Sequence, residues 1–120
     1  MTIAEKLSEF LVNTRYDDLP DQAVDHAAMI VSSTLASAAY GANISSARIV
    51  RDLSKNRGGQ AEASIWFDSG PKLPLVSAAR TNAMMSDAAA SDDSDLRNIV
   101  HAGTPLTAVS LAVAEKTGAS

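Results

Sequence analysis

Residues 81–115 read TNAMMSDAAASDDSDLRNIVHAGTPLTAVSLAVAE, and this stretch decides the character of the chain. An Ala/Met-rich helical segment breaks into the acidic cluster Asp92-Asp93-Ser94-Asp95. His101, one of two histidines, follows in the small-residue turn His101-Ala102-Gly103-Thr104-Pro105, and an apolar helix resumes at once. A connection between two core-type helices needs only a few turn residues. This one gathers carboxylates, a hydroxyl and an imidazole on a loop, the kind of segment on which function concentrates.

Working outward, Pro74 predicts the first turn of the helix that runs to about Ala90, where its missing N–H does no harm. The last helix is expected to start after Thr104-Pro105 and to close at Gly118. Its Leu106, Val109, Leu111, Ala112, Val113 and Ala114 fall on more than one face, which predicts burial on most sides. Upstream, Glu62-Ala63-Ser64-Ile65-Trp66-Phe67 reads as a short strand and Asp68-Ser69-Gly70-Pro71 as the turn after it. Thr2 with Glu5 forms a capping box for a first helix to about Asn13, with Ile3, Leu7, Phe10 and Leu11 on its apolar face. A second helix follows Pro20 and carries Val24, Ala27, Ala28, Val31, Leu35 and Ala38 at helical spacing to Tyr40, with Gly41 as its C-cap. A third opens at Ser45 or Ser46, turns Ile49, Val50 and Leu53 inward, and ends at Gly58-Gly59. The fold class is therefore mostly α, about five helices and one short strand, within one unit spanning 1–120.

Composition narrows the function classes. Hydrophobic residues make up 46% and charged residues 20%, the profile of a folded chain. The net charge of -4 and the scattered Lys and Arg give no footprint for nucleic acid or an anionic membrane. Without cysteines there are no disulfides or thiolate metal sites. No signal sequence and no long apolar run is present, so the expected location is cytoplasmic. Alanine accounts for 22 of the 120 residues and aromatics for only 4%, so tightly spaced helices must fill the core, with helices of another chain as one possible source.

Within the acidic loop, His101 is the proton-transfer candidate, because an imidazole titrates near neutral pH. Its alternative is a loop histidine bonded to a backbone carbonyl. Asp92 and Asp93 can hold the imidazole or a substrate hydroxyl, bind a cation, or cap a short helix through Asp95-Leu96-Arg97. No EF-hand spacing and no second acidic cluster supports a metal. Ser94 lacks the Gly-x-Ser-x-Gly context of a nucleophile elbow, which argues against a hydrolase triad. Arg80 and Arg97 flank the loop and can grip a substrate carboxylate or merely balance the aspartates. His26, mid-helix beside Asp25, reads as structural. Gly58-Gly59 is a helix end and not a phosphate cradle.

These residues also carry a family pattern. Asn82-Ala83, then Ala90-Ser91-Asp92-Asp93-Ser94, then His101-Ala102-Gly103 resembles the MmgE/PrpD motif, which runs Asn-Gly, Asp-Phe-Asp-Asp-Thr and His-Pro-Gly. Leu7-x-x-Phe10-Leu11, Tyr16-Asp17-Asp18-Leu19-Pro20 and Ser64-Ile65-Trp66 agree as well. The resemblance implies the N-terminal part of a helical domain in a family of 2-methylcitrate dehydratases, cis-aconitate decarboxylases and iminodisuccinate epimerases. It implies lyase chemistry on a small polycarboxylate without metal or cofactor. It points to His101, Ser94, Asp93 and Asp92 for catalysis and to Asn82 for substrate binding, where Arg80 and Arg97 are added only by their position beside the loop. Three positions depart from the pattern. Ala90 stands where the decarboxylase-like members carry an aspartate, Ser94 replaces Thr, and Asp87 replaces a histidine. Family members are several times longer and supply a lysine and a second histidine later in the chain. The expectation is thus an incomplete domain completed by a second, longer polypeptide or by self-association.

Overall fold

The computed structural model describes residues 1–91 and 93–119. Among them are five helices: α1 (Ile3–Asn13), α2 (Asp21–Gly41), α3 (Ser45–Arg57), α4 (Leu75–Ala88) and α5 (Gly103–Thr117), with a 3-10 turn at Tyr16–Asp18. The expected order holds. Two helix ends shift: α4 stops at Ala88, because Ala90 takes a left-handed conformation at φ 50, and α5 begins at Gly103, ahead of Pro105.

The core is built by α4, which packs on α2, α3 and α5. Small residues make this possible. Gly41 of α2 lies so close to the Met85 carbonyl of α4 that a Cβ there would overlap it. Ala38, Ala42, Ala47, Ile65, Leu73 and Met85 form one buried cluster, and Ala63, Ala78, Ala79 and Ala112 form another. Hydroxyl pairs link the helices inside it: Ser54 of α3 meets Thr81 of α4 at 3.1 Å, and Ser86 of α4 meets Thr104 of α5 at 3.3 Å. Buried hydroxyls that satisfy one another avoid the cost of unpaired polar groups.

Three sequence expectations need correction. Residues 62–67 do not form a strand. They make an isolated bridge, Ala63 with Leu73, and side chains take three further backbone groups that a partner strand would use. Trp66 N donates to Asn82 Oδ1 at 2.9 Å, Asn82 Nδ2 donates to Ser64 O at 3.0 Å, and Ser64 N donates to Glu115 Oε2 at 2.7 Å. The apolar face of α1 is not buried: Ile3 is 86% and Phe10 58% exposed. Nor does α3 bury its branched residues, since Ala47 and Ser54 face the core while Ile49 and Leu53 are exposed.

Burial on α5 also reverses the expectation. Gly103, Thr104, Thr107, Ala108 and Ala112 are buried, and Leu106, Val109 and Val113 are exposed. Small residues let helices approach closely, so the small face wins the core and the aliphatic face is left outside. The radius of gyration, 15.6 Å, exceeds the roughly 13.6 Å expected for a compact chain of this length. The exposed α1 and the first half of α2 account for the excess. No helix among the described residues is long and apolar enough to cross a membrane.

Candidate functional site

The loop between α4 and α5 is anchored at its entry by Ser91, whose Oγ lies 2.9 Å from Ser37 Oγ on α2. Its middle is a tight hairpin. Asp95 N donates to Val100 O at 2.9 Å, while Asp95 Oδ1 accepts from Arg97 N at 2.9 Å and Oδ2 from Asn98 Nδ2 at 2.7 Å. The Asn98 side chain first, and then the Arg97 N–H, lower the Asp95 pKa below the usual carboxylate range. Residues 96–99 therefore form a turn and not the short helix considered from sequence, and Asp95 is the residue that caps it.

This hairpin brings His101 back to Asp93. His101 Nδ1 lies 2.9 Å from the Asp93 carbonyl oxygen. A carbonyl can only accept, so the bond places the hydrogen on Nδ1 and makes Nε2 the proton-accepting nitrogen of the neutral ring. The Asp93 carboxylate faces the other way. Its Oδ2 accepts from Gly103 N at 3.1 Å and so caps α5 from ten residues upstream, a favourable place for an anion. A Cβ at Gly103 would run into the Asp93 carboxylate and the Ile30 side chain, so those side chains would have to shift to admit one. Asp93 Oδ1 is shielded from solvent and has no hydrogen-bond partner among the described residues. It closes one end of a largely apolar cleft of about 300 Å³ between α2 and α5.

The other sequence candidates are dispersed. Ser94 is exposed, and among the described residues its hydroxyl makes no hydrogen bond. Arg97 is exposed at the hairpin tip. Arg80 lies within 3.5 Å of Ser54 Oγ and lines a separate cleft between α4 and α5, away from His101 and Asp93. Asn82 is 1% exposed, and both ends of its amide hold the backbone of residues 64–66. Asp92 lies outside the described residues. His26 is exposed on the part of α2 that projects from the core.

Sequence reasoning missed a second polar cluster. Glu115 of α5 accepts from Ser64 N and Oγ and pairs with Lys72 at 2.8 Å. Lys72 foremost, then Ser64, lowers the Glu115 pKa to about 2. Next to it, Glu62 accepts from Leu75 N at the start of α4 and pairs with Lys116 at 2.9 Å. The first of these bonds, then Lys116, lowers its pKa as well. These ties are long-range, and nothing in the local sequence announces them. They staple the irregular 62–73 segment onto α4 and α5, which places the cluster in the scaffold. No group of three or more metal-ligating side chains converges among the described residues.

With this geometry in place, comparison with known proteins gives one result. The sequence matches the MmgE/PrpD N-terminal domain over residues 5–120. No curated protein and no solved structure matches the chain.

Proposed function

Because the chain belongs to the MmgE/PrpD family, we propose that it forms one portion of a lyase-type enzyme acting on a small polycarboxylate by general acid/base chemistry. The observation that carries this reading is the family match over residues 5–120, and His101, held at Nδ1 by the Asp93 backbone carbonyl, is the proton-transfer candidate that the family pattern names. A fixed Nδ1 contact orients the ring and leaves Nε2 as the basic nitrogen, on a hairpin at the mouth of α5. In a dehydration, Nε2 takes the carbon-bound proton next to a substrate carboxylate. A second acid then protonates the leaving hydroxyl, which departs as water. Cationic groups must hold the carboxylates, and Arg97, exposed on the hairpin, is this chain's candidate for that task. Asp93 acts by holding the imidazole through its carbonyl and α5 through its carboxylate.

Residues 1–120 supply the base and its support but not the full set of acids and cations. The proposal therefore includes a second, longer polypeptide or a self-assembly that completes the site, in a cytoplasmic enzyme, and it gives the isolated chain no turnover of its own. Ala90 favours a second reading within the same family. The pattern has an aspartate where this chain carries a methyl group, and epimerisation needs only removal and return of one proton. If both losses, Ala90 and Asp87, abolish the chemistry, the chain is instead a non-catalytic helical subunit that stabilises its partner.

The test is His101→Asn in the complete assembly. The expected result is a fall in kcat of roughly 100-fold or more, the scale of a general acid/base group, with unchanged helical content by circular dichroism. Ser94→Ala in the same assay should cost less, on the scale of one hydrogen bond, about 0.5–1.5 kcal/mol. Near-normal turnover by His101→Asn would assign the histidine to structure and favour the non-catalytic subunit.

A further inference from the structure

The loop that carries His101 is fastened at both ends, each time by a buried hydroxyl on a helix. At its entry, the buried Ser37 of α2 meets Ser91 twice, at Oγ (2.9 Å) and at the carbonyl oxygen (3.3 Å). Both contacts are satisfied together when Ser91 Oγ donates to Ser37 Oγ and Ser37 Oγ donates to Ser91 O, since the carbonyl can only accept. At its exit, the buried Thr104 of α5 meets Ser86 of α4, which is fully enclosed, at 3.3 Å.

The places of these two ties along the chain matter. Ser91 stands shortly before Asp93, whose carbonyl oxygen lies 2.9 Å from His101 Nδ1. Thr104 stands shortly after His101 and follows Gly103, whose N–H donates to Asp93 Oδ2 at 3.1 Å. The carbonyl and the ring that meet in the His101 contact are thus tied, close by, to different helices. Around them α2 and α4 pack through small apolar residues such as Ala38, and apolar contact has no preferred direction, whereas a hydroxyl pair fixes a distance and an angle. Direction is what a proton acceptor needs, because a misplacement of about 1 Å can lower a rate by roughly 100-fold. We propose that Ser37 and Thr104 are positioning residues for His101, acting through the two ends of the loop and not on the substrate.

The effect on turnover rests on the reading of His101 as the proton-transfer group, and the fold supplies its own control. Ser54 and Thr81 form a third hydroxyl pair, buried at 3.1 Å between α3 and α4, with neither residue on the loop. Ser37→Ala and Thr104→Val each delete one hydroxyl, the second with little change of shape, and Thr104→Ser keeps it. In the complete assembly the first two should lower kcat by roughly tenfold or more at a KM changed by less than about twofold. Thr104→Ser should keep most of the parent rate. Ser54→Ala should lower the midpoint of urea unfolding and leave kcat unchanged.

A second readout needs no turnover. In the 15N-labelled chain, His101 Nδ1 should carry the shift of a protonated ring nitrogen, and the exposed His26 serves as the internal reference. Ser37→Ala and Thr104→Val should move the His101 signal toward that of His26, while Thr104→Ser and Ser54→Ala leave it in place. If His101→Asn retains turnover, the base assignment falls and the nitrogen shift alone decides whether the two hydroxyls hold the ring. If His101→Asn is inactive but Ser37→Ala and Thr104→Val keep the parent kcat and shift, the positioning role is wrong. An equal loss of kcat in Ser54→Ala would also overturn it, because general loosening would then explain all three variants. Should Thr104→Val fail to fold, Ser37→Ala decides by itself.

Discussion

The two halves of α2 belong to different environments. From Thr34 to Gly41 the helix is packed against α4 through Thr34, Ser37, Ala38 and Gly41, whereas residues 21–30 are largely exposed and lead back to the bare apolar face of α1. Both regions are patterned as amphipathic helix. What separates them is side-chain size. Where alanine, glycine and serine face a neighbour, backbones come close enough to exclude water. Where Leu7, Phe10, Met29 and Ile30 carry the apolar surface, no helix among the described residues covers it. Amphipathic period predicts that a face will be covered, and only the small residues show that the cover lies within the same chain.

The strongest test of that contrast is Gly41→Ala. The added methyl would overlap the Met85 carbonyl, which is backbone and cannot swing aside, so α2 and α4 must separate. The expected cost is about 3 kcal/mol, the upper end for overpacking, read as a lowered midpoint in urea unfolding. A cost below about 1 kcal/mol would mean that the contact between the two helices is looser than described and that the size argument fails.

Asn82→Ala comes next. It removes the group that satisfies Trp66 N and Ser64 O in the part-buried segment that a strand would otherwise have organised. Two unpaired backbone groups should cost roughly 2 kcal/mol. Trp66 lies against the core, so its fluorescence should shift as the segment loosens. If the variant is as stable as the parent, the Asn82 amide is free for the substrate role inferred from the family pattern.

Most of the helical plan was legible. The Thr2–Glu5 capping box, Pro20, Gly41, Gly58 and Pro74 all stand at or next to helix ends, because caps and breakers act within a few residues. The failures arose where distant side chains replace local structure. Glu115, Ser64 and Asn82 meet across 51 and 18 residues of sequence and consume the hydrogen bonds of a would-be strand. The site was legible in part. His101 meets Asp93 at its backbone carbonyl, the contact of the plain loop-histidine alternative, and not at its carboxylate, while Arg80 and Asn82 do not join them, since their helical positions point them to α3 and to residues 64–66. Capping a short helix beside it is one of the three roles that the sequence leaves open to Asp93. Asp93 caps α5 instead, because the hairpin at Asp95–Val100 reverses the chain.

Ala90 gives a smaller, opposite effect. At φ 50 its Cβ is strained, and a left-handed conformation costs a non-glycine residue about 1–2 kcal/mol. Ala90→Gly should therefore raise stability by roughly 1 kcal/mol, seen as a higher Tm of the isolated chain. Aspartate tolerates this region better than alanine, which gives a conformational reason for the residue that the family pattern carries there. A lower Tm would show that the α4 terminus does not hold this conformation.

The smallest effect tests the staple between residues 62–73 and α5. Glu115 titrates at about 2 in the folded chain, against 4.5 ordinarily, because Lys72 and Ser64 favour its ionised form. Between those two values the unfolded chain binds more protons than the folded one, so stability must rise with pH across the window. Above about pH 4.5 the contribution is fully present, and it is lost as pH falls toward 2. Glu115 is solvent-accessible, and screening reduces the pair to the scale of a surface interaction. Glu115→Gln should thus cost up to about 1 kcal/mol near neutral pH. The cost should shrink as both proteins are acidified, so their Tm values converge below pH 3 while Glu62 and Asp68 add their own acid sensitivity to each equally. Parallel Tm curves from pH 7 down to 2 would show that the charge on Glu115 contributes nothing, and that packing alone holds the 62–73 segment to α5.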